Sequence, residues 1–306
     1  MRNSESETTS SSLKPQASSL YKCESLLLSD TYRNSIYCWE GSKQPRDCLL
    51  YLHGIESHAG WFIDSAQAVN ALGWPVVLAE RRGSGRNSQD RGHAANYRQL
   101  LVDVFCQAQY CRERWPGCRV HLAGVSWGGK LALAAAISRP DVFASLTMIT
   151  PGLFPQVDLS ARNKLNVLVN HVIKPRTQLN VPLEDPKLFT DNPQRVTFIE
   201  QDQLRLHRVS VAFFWASHRL DRLIKRRSQR LNLPTHLMLS GADRIIDTER
   251  TRTWFDHCLA PAKHLSIFDE SAHTLEFDRD NRPFLKTFAN WLDNHAQRER
   301  HSETAL

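Results

Sequence analysis

A serine flanked by glycines is the strongest candidate for a reactive group in this sequence. Residues 124–128 read Gly-Val-Ser-Trp-Gly, with Ser126 at the centre. A serine hydroxyl becomes an effective nucleophile only when a neighbouring base removes its proton, and a carboxylate usually orients that base. A strained turn that presents the hydroxyl also leaves no room for a Cβ two residues away on either side, so glycine suits both places. The motif therefore indicates acyl-transfer chemistry through a covalent serine intermediate.

An aspartate and a histidine stand where partners for Ser126 are expected. When a serine is presented at the end of a strand in this way, the acid follows a later strand and the histidine follows the last one. Asp243 comes after the apolar run 235–240, and His273 comes after the run 264–268. We predict that His273 is the base and that Asp243 orients it.

Other interpretations of these acids and of the histidine stay open at this stage. Asp243 could be an ordinary turn aspartate, and His273 could be a loop histidine that faces solvent. Asp269 and Asp278 are alternative partners for the histidine. Asp247 fits better as the N-cap of the helix that follows.

Two backbone N–H groups are needed to stabilise the negative charge that develops on the attacked oxygen. The N–H of Trp127, directly after the serine, is one candidate, and the N–H of Ile55, in the loop after the run 47–53, is the other. His53 and His58 flank Ile55 and could instead bind a metal, but no carboxylate or cysteine cluster completes such a site. We predict neither a metal nor an organic cofactor.

Short apolar runs alternate with longer amphipathic segments, and these elements must position the candidate residues. Strands are predicted over 22–29, 35–40, 47–53, 75–80, 119–125, 145–150, 235–240 and 264–268. Helices are predicted over 61–72, 96–114, 127–138, 247–259 and 283–295. Strands that alternate with helices predict an α/β fold with a mostly parallel central sheet and helices on both faces.

The stretch 151–234 interrupts this alternation and is too long for a loop. It has helical patterns of its own, over 165–172 and 209–223, and it lies between two core strands, so we predict a helical cap above the carboxyl edge of the sheet. The expected organisation is a core of residues 21–150 and 235–297 with a cap of 151–234. A disordered tail is expected over 1–20 and a second tail over 298–306.

Composition excludes several classes of protein. Of the 306 residues, 41% are hydrophobic and 23% are charged, which are ordinary values for a globular protein. The longest apolar run is 131–137, far shorter than the roughly 20 residues of a membrane-spanning helix. The seven cysteines form no Cys-X-X-Cys pair and the first residues lack an apolar block, so we expect free thiols and a cytoplasmic protein, peripheral at a membrane if the cap docks there.

Five motifs and one segment of the insertion together carry a resemblance to a known family. In chain order the motifs are HGIESH, ERRGSG, GVSWGG, SGADRIID and SAHTLEFD, and the segment is KLFTDNP. The set, which covers about residues 22–296, resembles the α/β-hydrolase superfamily, and within it the monoacylglycerol lipase and lysophospholipase-like branch. One departure is Glu80, because many relatives have an aspartate there.

The resemblance implies a serine hydrolase that cleaves a carboxylic ester of a small-molecule substrate through an acyl-enzyme. The roles it implies are nucleophile for Ser126, base for His273, orienting acid for Asp243, and oxyanion donors for Ile55 and Trp127. The apolar segment 211–215 of the insertion favours a hydrophobic or acyl substrate. The alternatives are an acyltransferase or thioesterase with the same acyl-enzyme, and a non-catalytic binding protein on the same scaffold.

The formal charge of +7 is local, because the segment 203–230 holds eight basic residues and one acid. The basic residues toward its end are Arg219, Arg222, Lys225, Arg226, Arg227 and Arg230. Such a run is most often a solvated helix face. The functional alternative is a docking surface for an anionic membrane, whereas a nucleic-acid partner is not expected because no recognition motif accompanies the charge.

Overall fold

The computed structural model describes the backbone of residues 21–304 and the side chains of residues 21–296; the tail expected over 1–20 lies outside the described residues. The strands of the main sheet are β1 (Lys22–Leu27), β2 (Arg33–Trp39), β3 (Asp47–Leu52), β4 (Val76–Ala79), β5 (Arg119–Val125), β6 (Ser145–Ile149), β9 (Thr235–Ser240) and β10 (Lys263–Phe268). The helices of the core are α1 (Ile63–Asn70), α2 (Tyr97–Arg114), α3 (Trp127–Ser138), α7 (Thr248–Asp256) and α8 (Arg282–Thr304).

The eight strands form one sheet in the order β1, β2, β4, β3, β5, β6, β9, β10. The pairings of β1 with β2 and of β2 with β4 are antiparallel, and all others are parallel. Every residue of β3, β4, β6 and β9 is buried, which requires cover on both faces of the sheet. The predicted α/β fold with a mostly parallel central sheet is therefore confirmed.

The insertion between β6 and β9 contains three helices and a small two-stranded sheet. Its elements are α4 (Ala161–Ile173), β7 (Gln178–Asn180), α5 (Pro193–Gln201), β8 (Arg208–Ser210) and α6 (Val211–Arg227). The patterns over 165–172 and 209–223 correspond to α4 and α6. Strands β7 and β8 were not predicted, because three residues are too few to show alternation.

Helices α5 and α8 differ most from expectation, whereas the bounds of α1 and α7 differ by one to three residues at each end. Helix α5 was not predicted, although Asn192 caps its first turn and Pro193 opens it, both ordinary start signals. Helix α8 was expected to end at His295 but ends at Thr304, since no glycine or proline interrupts that stretch. Within residues 21–304, no helix is long and apolar enough to cross a bilayer.

The parallel strands bring the candidate residues to one edge of the sheet. Ile55 follows β3, Ser126 follows β5, Asp243 follows β9 and His273 follows β10. All four strands run in the same direction, so these loops meet at the carboxyl edge, where α/β sheets bind ligands.

Candidate active site

Ser126 occupies a strained turn between β5 and α3. Its φ of 53° and ψ of −120° lie in a region that residues other than glycine rarely adopt, at a cost of about 1–3 kcal/mol. A Cβ at Gly128 would lie 2.4 Å from the carbonyl oxygen of His53, and a Cβ at Gly124 would lie 2.4 Å from that of Gly128. Both glycines are therefore sterically required, and the sharp turn predicted from the motif is present.

Asp243 and His273 form a buried pair, although 30 residues separate them in the chain. The Nδ1 atom of His273 lies 2.8 Å from Oδ2 and 3.0 Å from Oδ1 of Asp243. Oδ1 also accepts hydrogen bonds from the backbone N–H groups of Ile245 and Ile246, at 2.8 and 2.9 Å. Burial acts to raise the pKa of Asp243, but His273 and these two N–H groups outweigh it, so the pKa lies below its ordinary value. The carboxylate is thus ionised at neutral pH and fixes the proton of the imidazole on Nδ1.

The other ring nitrogen of His273 is available for chemistry. Among the residues that the structure describes, Nε2 has no hydrogen-bond partner, and the residue is only 1% exposed. His273 and Ser126 line the same small cavity. Asp278, one of the alternative acids, accepts a hydrogen bond from the Ser271 hydroxyl instead. Asp247 caps α7 through the N–H of Arg250, as predicted.

The loop after β3 brings Ile55 beside the serine turn. A Cβ at Gly54 would come within 3.4 Å of the Ser126 Cβ, so the two loops are in close contact. Within the described part of the chain, no group accepts a hydrogen bond from the Ile55 N–H. The N–H of Trp127 is the first of helix α3, and a first-turn N–H has no acceptor inside its own helix. Both N–H groups are thus free to donate to an oxyanion, and the positive end of the α3 dipole lies beside them.

Both nitrogens of His53 and of His58 are engaged by the protein. His53 accepts from the Arg81 N–H through Nε2 at 2.9 Å, and its Nδ1 lies 2.9 Å from the Gly54 carbonyl. His58 accepts from the Gly60 N–H through Nδ1, and its Nε2 lies 3.0 Å from Asp202. These histidines therefore shape the loop. Over the side chains described, residues 21–296, no group of three or more His, Cys, Asp or Glu is arranged to hold a metal ion.

Two buried arginines that sequence reasoning missed hold the Ile55 loop in place. Arg81 donates to the Ile55 carbonyl at 2.7 Å, and its guanidinium lies over the rings of Trp127 and Phe213. Burial lowers the pKa of Arg81 to about 9, so it remains charged at neutral pH.

The second arginine, Arg205, comes from the insertion and pairs with Glu56 at 2.7 Å. Leu206, the next residue, donates its N–H to the Glu56 carbonyl at 2.9 Å. Burial raises the pKa of Glu56 to about 7, against the opposing effect of Arg205. No signal in HGIESH marks Glu56 as buried, and its partner lies 149 residues away along the chain.

A cavity of about 510 Å³ lies between the core and the insertion, with Ser126 on its wall. The side chains that line it are mostly apolar and include Val157, Leu159, Val167, Leu168, Val181, Leu183, Phe214, Trp215, Ile245 and Ile246. Its charged groups are paired: Lys130 with Asp221 at 2.8 Å, and Lys164 with Asp158 at 2.6 Å. The volume and the apolar lining suit a ligand with a hydrocarbon portion.

The basic segment 203–230 separates into two parts in the structure. Arg205 is 5% exposed and belongs to the buried pair described above, so it does not contribute to a surface. Arg219 is half-buried over the ring of Tyr97. Arg208 is exposed but lies apart, in β8. The other exposed cations are the side chains at the end of α6 and just after it, namely Arg222, Lys225, Arg226, Arg227 and Arg230.

Comparison with known proteins places the chain in a family. The family sequence model described as serine aminopeptidase, S33 matches residues 43–280, which include Ile55, Ser126, Asp243 and His273. The chain belongs to this family.

Relatives of this S33 family member carry lipase and phospholipase names. Monoglyceride lipase of Rattus norvegicus is 23% identical over 245 residues, which cover 78% of this chain and 80% of the relative. Phospholipase YtpA of Bacillus subtilis is 21% identical over 223 residues, which cover 72% and 85%. The crystal structure of Paleococcus ferrophilus monoacylglycerol lipase superposes with a TM-score of 0.77 at 23% identity, covering 86% of this chain and 99% of that one. The resemblance stated from the motifs is therefore confirmed, and so is the α/β-hydrolase fold.

Proposed function

We propose that this protein hydrolyses carboxylic esters of long-chain acyl groups, with Ser126 as the nucleophile, His273 as the general base and Asp243 as the acid that orients it. The observation that carries the proposal is the strained Ser126, which lies on the wall of an apolar cavity of about 510 Å³ and shares a smaller cavity with an unpartnered imidazole nitrogen. Strain of this kind persists only where the surrounding structure enforces it, and it concentrates at reactive groups.

The proposed reaction has two halves. Nε2 of His273 takes the proton of Ser126 as Oγ attacks the ester carbonyl, and the N–H groups of Ile55 and Trp127 stabilise the oxyanion. The protonated imidazole then gives its proton to the departing alcohol, which leaves an acyl-enzyme. Water hydrolyses the acyl-enzyme in the second half. Asp243 remains ionised throughout and stabilises the imidazolium.

The lining of the larger cavity supports an acyl substrate. We propose that the insertion 151–234 acts as a cap whose helices α4 and α6 enclose the acyl chain. Monoacylglycerols and lysophospholipids are the favoured substrate classes. One relative that aligns with 78% of this chain is named for monoglycerides, and another that aligns with 72% is named a phospholipase. An aminopeptidase activity is disfavoured, because the carboxylates that line the cavity are both paired with lysines and neither is free to bind an α-ammonium group.

The surface of α4 supports an encounter with a lipid interface. Five of its apolar side chains are 51–75% exposed, and these are Leu165, Leu168, Val169, Val172 and Ile173. Leu168 also lines the larger cavity, so this exposed face adjoins the substrate site. We propose that this face rests on the membrane, and that the exposed cations that end α6 favour an anionic one. Equal co-sedimentation with anionic and neutral vesicles would contradict the role of the cations.

Substrate profiling tests the proposal. The protein is assayed with p-nitrophenyl esters of increasing chain length, a monoacylglycerol, a lysophospholipid and an amino-acid p-nitroanilide. We expect hydrolysis of the esters with a preference for long acyl chains and none of the anilide. Ser126→Ala should abolish the activity, whereas Ser138→Ala, which removes a hydroxyl at the far end of α3, should retain it. Cleavage of the anilide alone, or undiminished activity in Ser126→Ala, would refute the proposal.

A further inference from the structure

A second and much smaller cavity adjoins the candidate catalytic groups. Its volume is about 10 Å³, and its walls include Ser126 and His273 together with Glu56 and Ser57 of the Ile55 loop. Three aromatic residues, Trp61, Phe62 and Phe189, are among the others that line it. A space of this size has room for a single water molecule and for nothing larger.

Three of the residues that line this cavity carry buried polar atoms without a partner among the described residues. The atoms are Nε2 of His273, Oγ of Ser57 and Oε1 of Glu56, and none of the three residues is more than 4% exposed. A buried polar atom left without a hydrogen bond costs about 1–3 kcal/mol. A water molecule with two to four polar neighbours is the usual way in which proteins avoid that cost.

We propose that this cavity binds the water that hydrolyses the acyl-enzyme, with Ser57 as its positioning residue and Glu56 as a second hydrogen-bond partner. The proposal rests on the proposed function, because it places the water of its second half. In the acyl-enzyme Oγ of Ser126 is esterified and has no proton to donate, so Nε2 of His273 is free to accept a proton from water. The Ser57 hydroxyl donates a hydrogen bond to this water, and Oε1 of Glu56 accepts one from it.

The chemical step balances with these groups alone. The water oxygen attacks the acyl carbonyl carbon while one of its protons passes to Nε2 of His273. The tetrahedral intermediate then collapses, the bond between the carbonyl carbon and Oγ of Ser126 breaks, and Oγ takes the proton from Nε2. The products are the carboxylic acid and the free enzyme.

The size of the cavity also bears on the reaction class. An alcohol acceptor does not fit in about 10 Å³, so it must approach the acyl-enzyme from the larger cavity. Of the two acceptors only water fits in the small cavity, which favours hydrolysis over acyl transfer. Loss of that site should therefore shift the products toward transfer when a small alcohol is present.

The test separates the two halves of the reaction in Ser57→Ala and Ser57→Val. The burst of p-nitrophenol from a p-nitrophenyl ester gives the acylation rate, and the steady state that follows gives the deacylation rate. In Ser57→Ala we expect acylation within about twofold of the unaltered protein and deacylation about tenfold slower, as for loss of one hydrogen bond that holds the water. In Ser57→Val the larger side chain occupies the cavity, so deacylation should fall further. With methanol added, the ratio of methyl ester to free acid should rise in both variants.

Ser84→Ala is the matched control, because the Ser84 hydroxyl donates to the Ser57 carbonyl at 3.3 Å and does not line the cavity. Its ratio of deacylation to acylation should equal that of the unaltered protein. Equal loss of both rates in Ser57→Ala, or an unchanged deacylation rate, would overturn the water site while leaving the proposed function intact. Failure of the unaltered protein to release p-nitrophenol would overturn the proposed function and this proposal with it.

Discussion

Replacement of Asp243 by asparagine tests how the acid controls the base. In the native site Oδ1 accepts the N–H groups of Ile245 and Ile246, and Oδ2 lies 2.8 Å from Nδ1 of His273. The oxygen of the asparagine must stay with the two N–H donors, so its NH₂ group takes the place of Oδ2 and faces Nδ1. Nδ1 must then accept, which forces the proton of the neutral imidazole onto Nε2. In that tautomer the ring cannot accept the proton of Ser126.

The expected loss is large. The corresponding tautomer change in a serine protease triad lowers kcat about 10⁴-fold, which is about 5 kcal/mol of barrier at 1.36 kcal/mol for each factor of ten. The assay is the acylation rate with a p-nitrophenyl ester, with circular dichroism to verify folding. Asp247→Asn is the matched control, because Asp247 caps α7 four residues further on and an asparagine also caps well. A folded Asp243→Asn variant with a rate within tenfold of the native protein would refute the reasoning.

Three further changes test the structural side. Gly128→Ala places a Cβ 2.4 Å from a backbone carbonyl and should lower the free energy of unfolding by about 1–3 kcal/mol or more, whereas Gly152→Ala, whose nearest neighbour is at 3.5 Å, should be tolerated; equal urea midpoints would contradict this. Burial raises the pKa of Glu276 to about 8 from 4.5, so the native state retains a proton that the unfolded chain releases. The free energy of unfolding of the protein therefore falls as the pH rises from about 4.5 to about 8. Glu276→Gln should weaken this pH dependence, as measured by urea titrations at pH 5 and 8. An unchanged pH dependence would argue against a protonated carboxyl. Arg205→Met leaves Glu56 buried without its partner and should cost about 3 kcal/mol, which Glu56→Gln in the same chain should partly restore; a loss that the second change does not reduce would contradict the pairing.

The sequence predicted the core well because its signals are local. The buried strands are short apolar runs, and five consecutive residues, 124–128, specify the serine turn. Asp243 and His273 could be proposed together because each directly follows a strand whose end lies at the same sheet edge. The helices of the insertion with strong periodicity, α4 and α6, were also predicted.

The rest depends on contacts between distant parts of the chain. Arg205 stands in a basic run and gave no sign of being buried, since its partner Glu56 lies in the loop after β3. Arg81 acts on the Ile55 carbonyl, 26 residues away, and stacks on rings from α3 and α6. The small cavity beside His273 exists only because residues from four separate loops meet there, which periodicity and motif spacing do not encode.

The central claim is that Ser126 becomes acylated. The most direct measurement is acid quenching of the protein during turnover of a long-chain p-nitrophenyl ester, followed by peptide mass spectrometry. We predict a single acyl adduct on the peptide that contains Ser126, removed by Ser126→Ala and retained in Ser138→Ala. An adduct on another residue, or release of p-nitrophenol that persists in Ser126→Ala, would contradict the account.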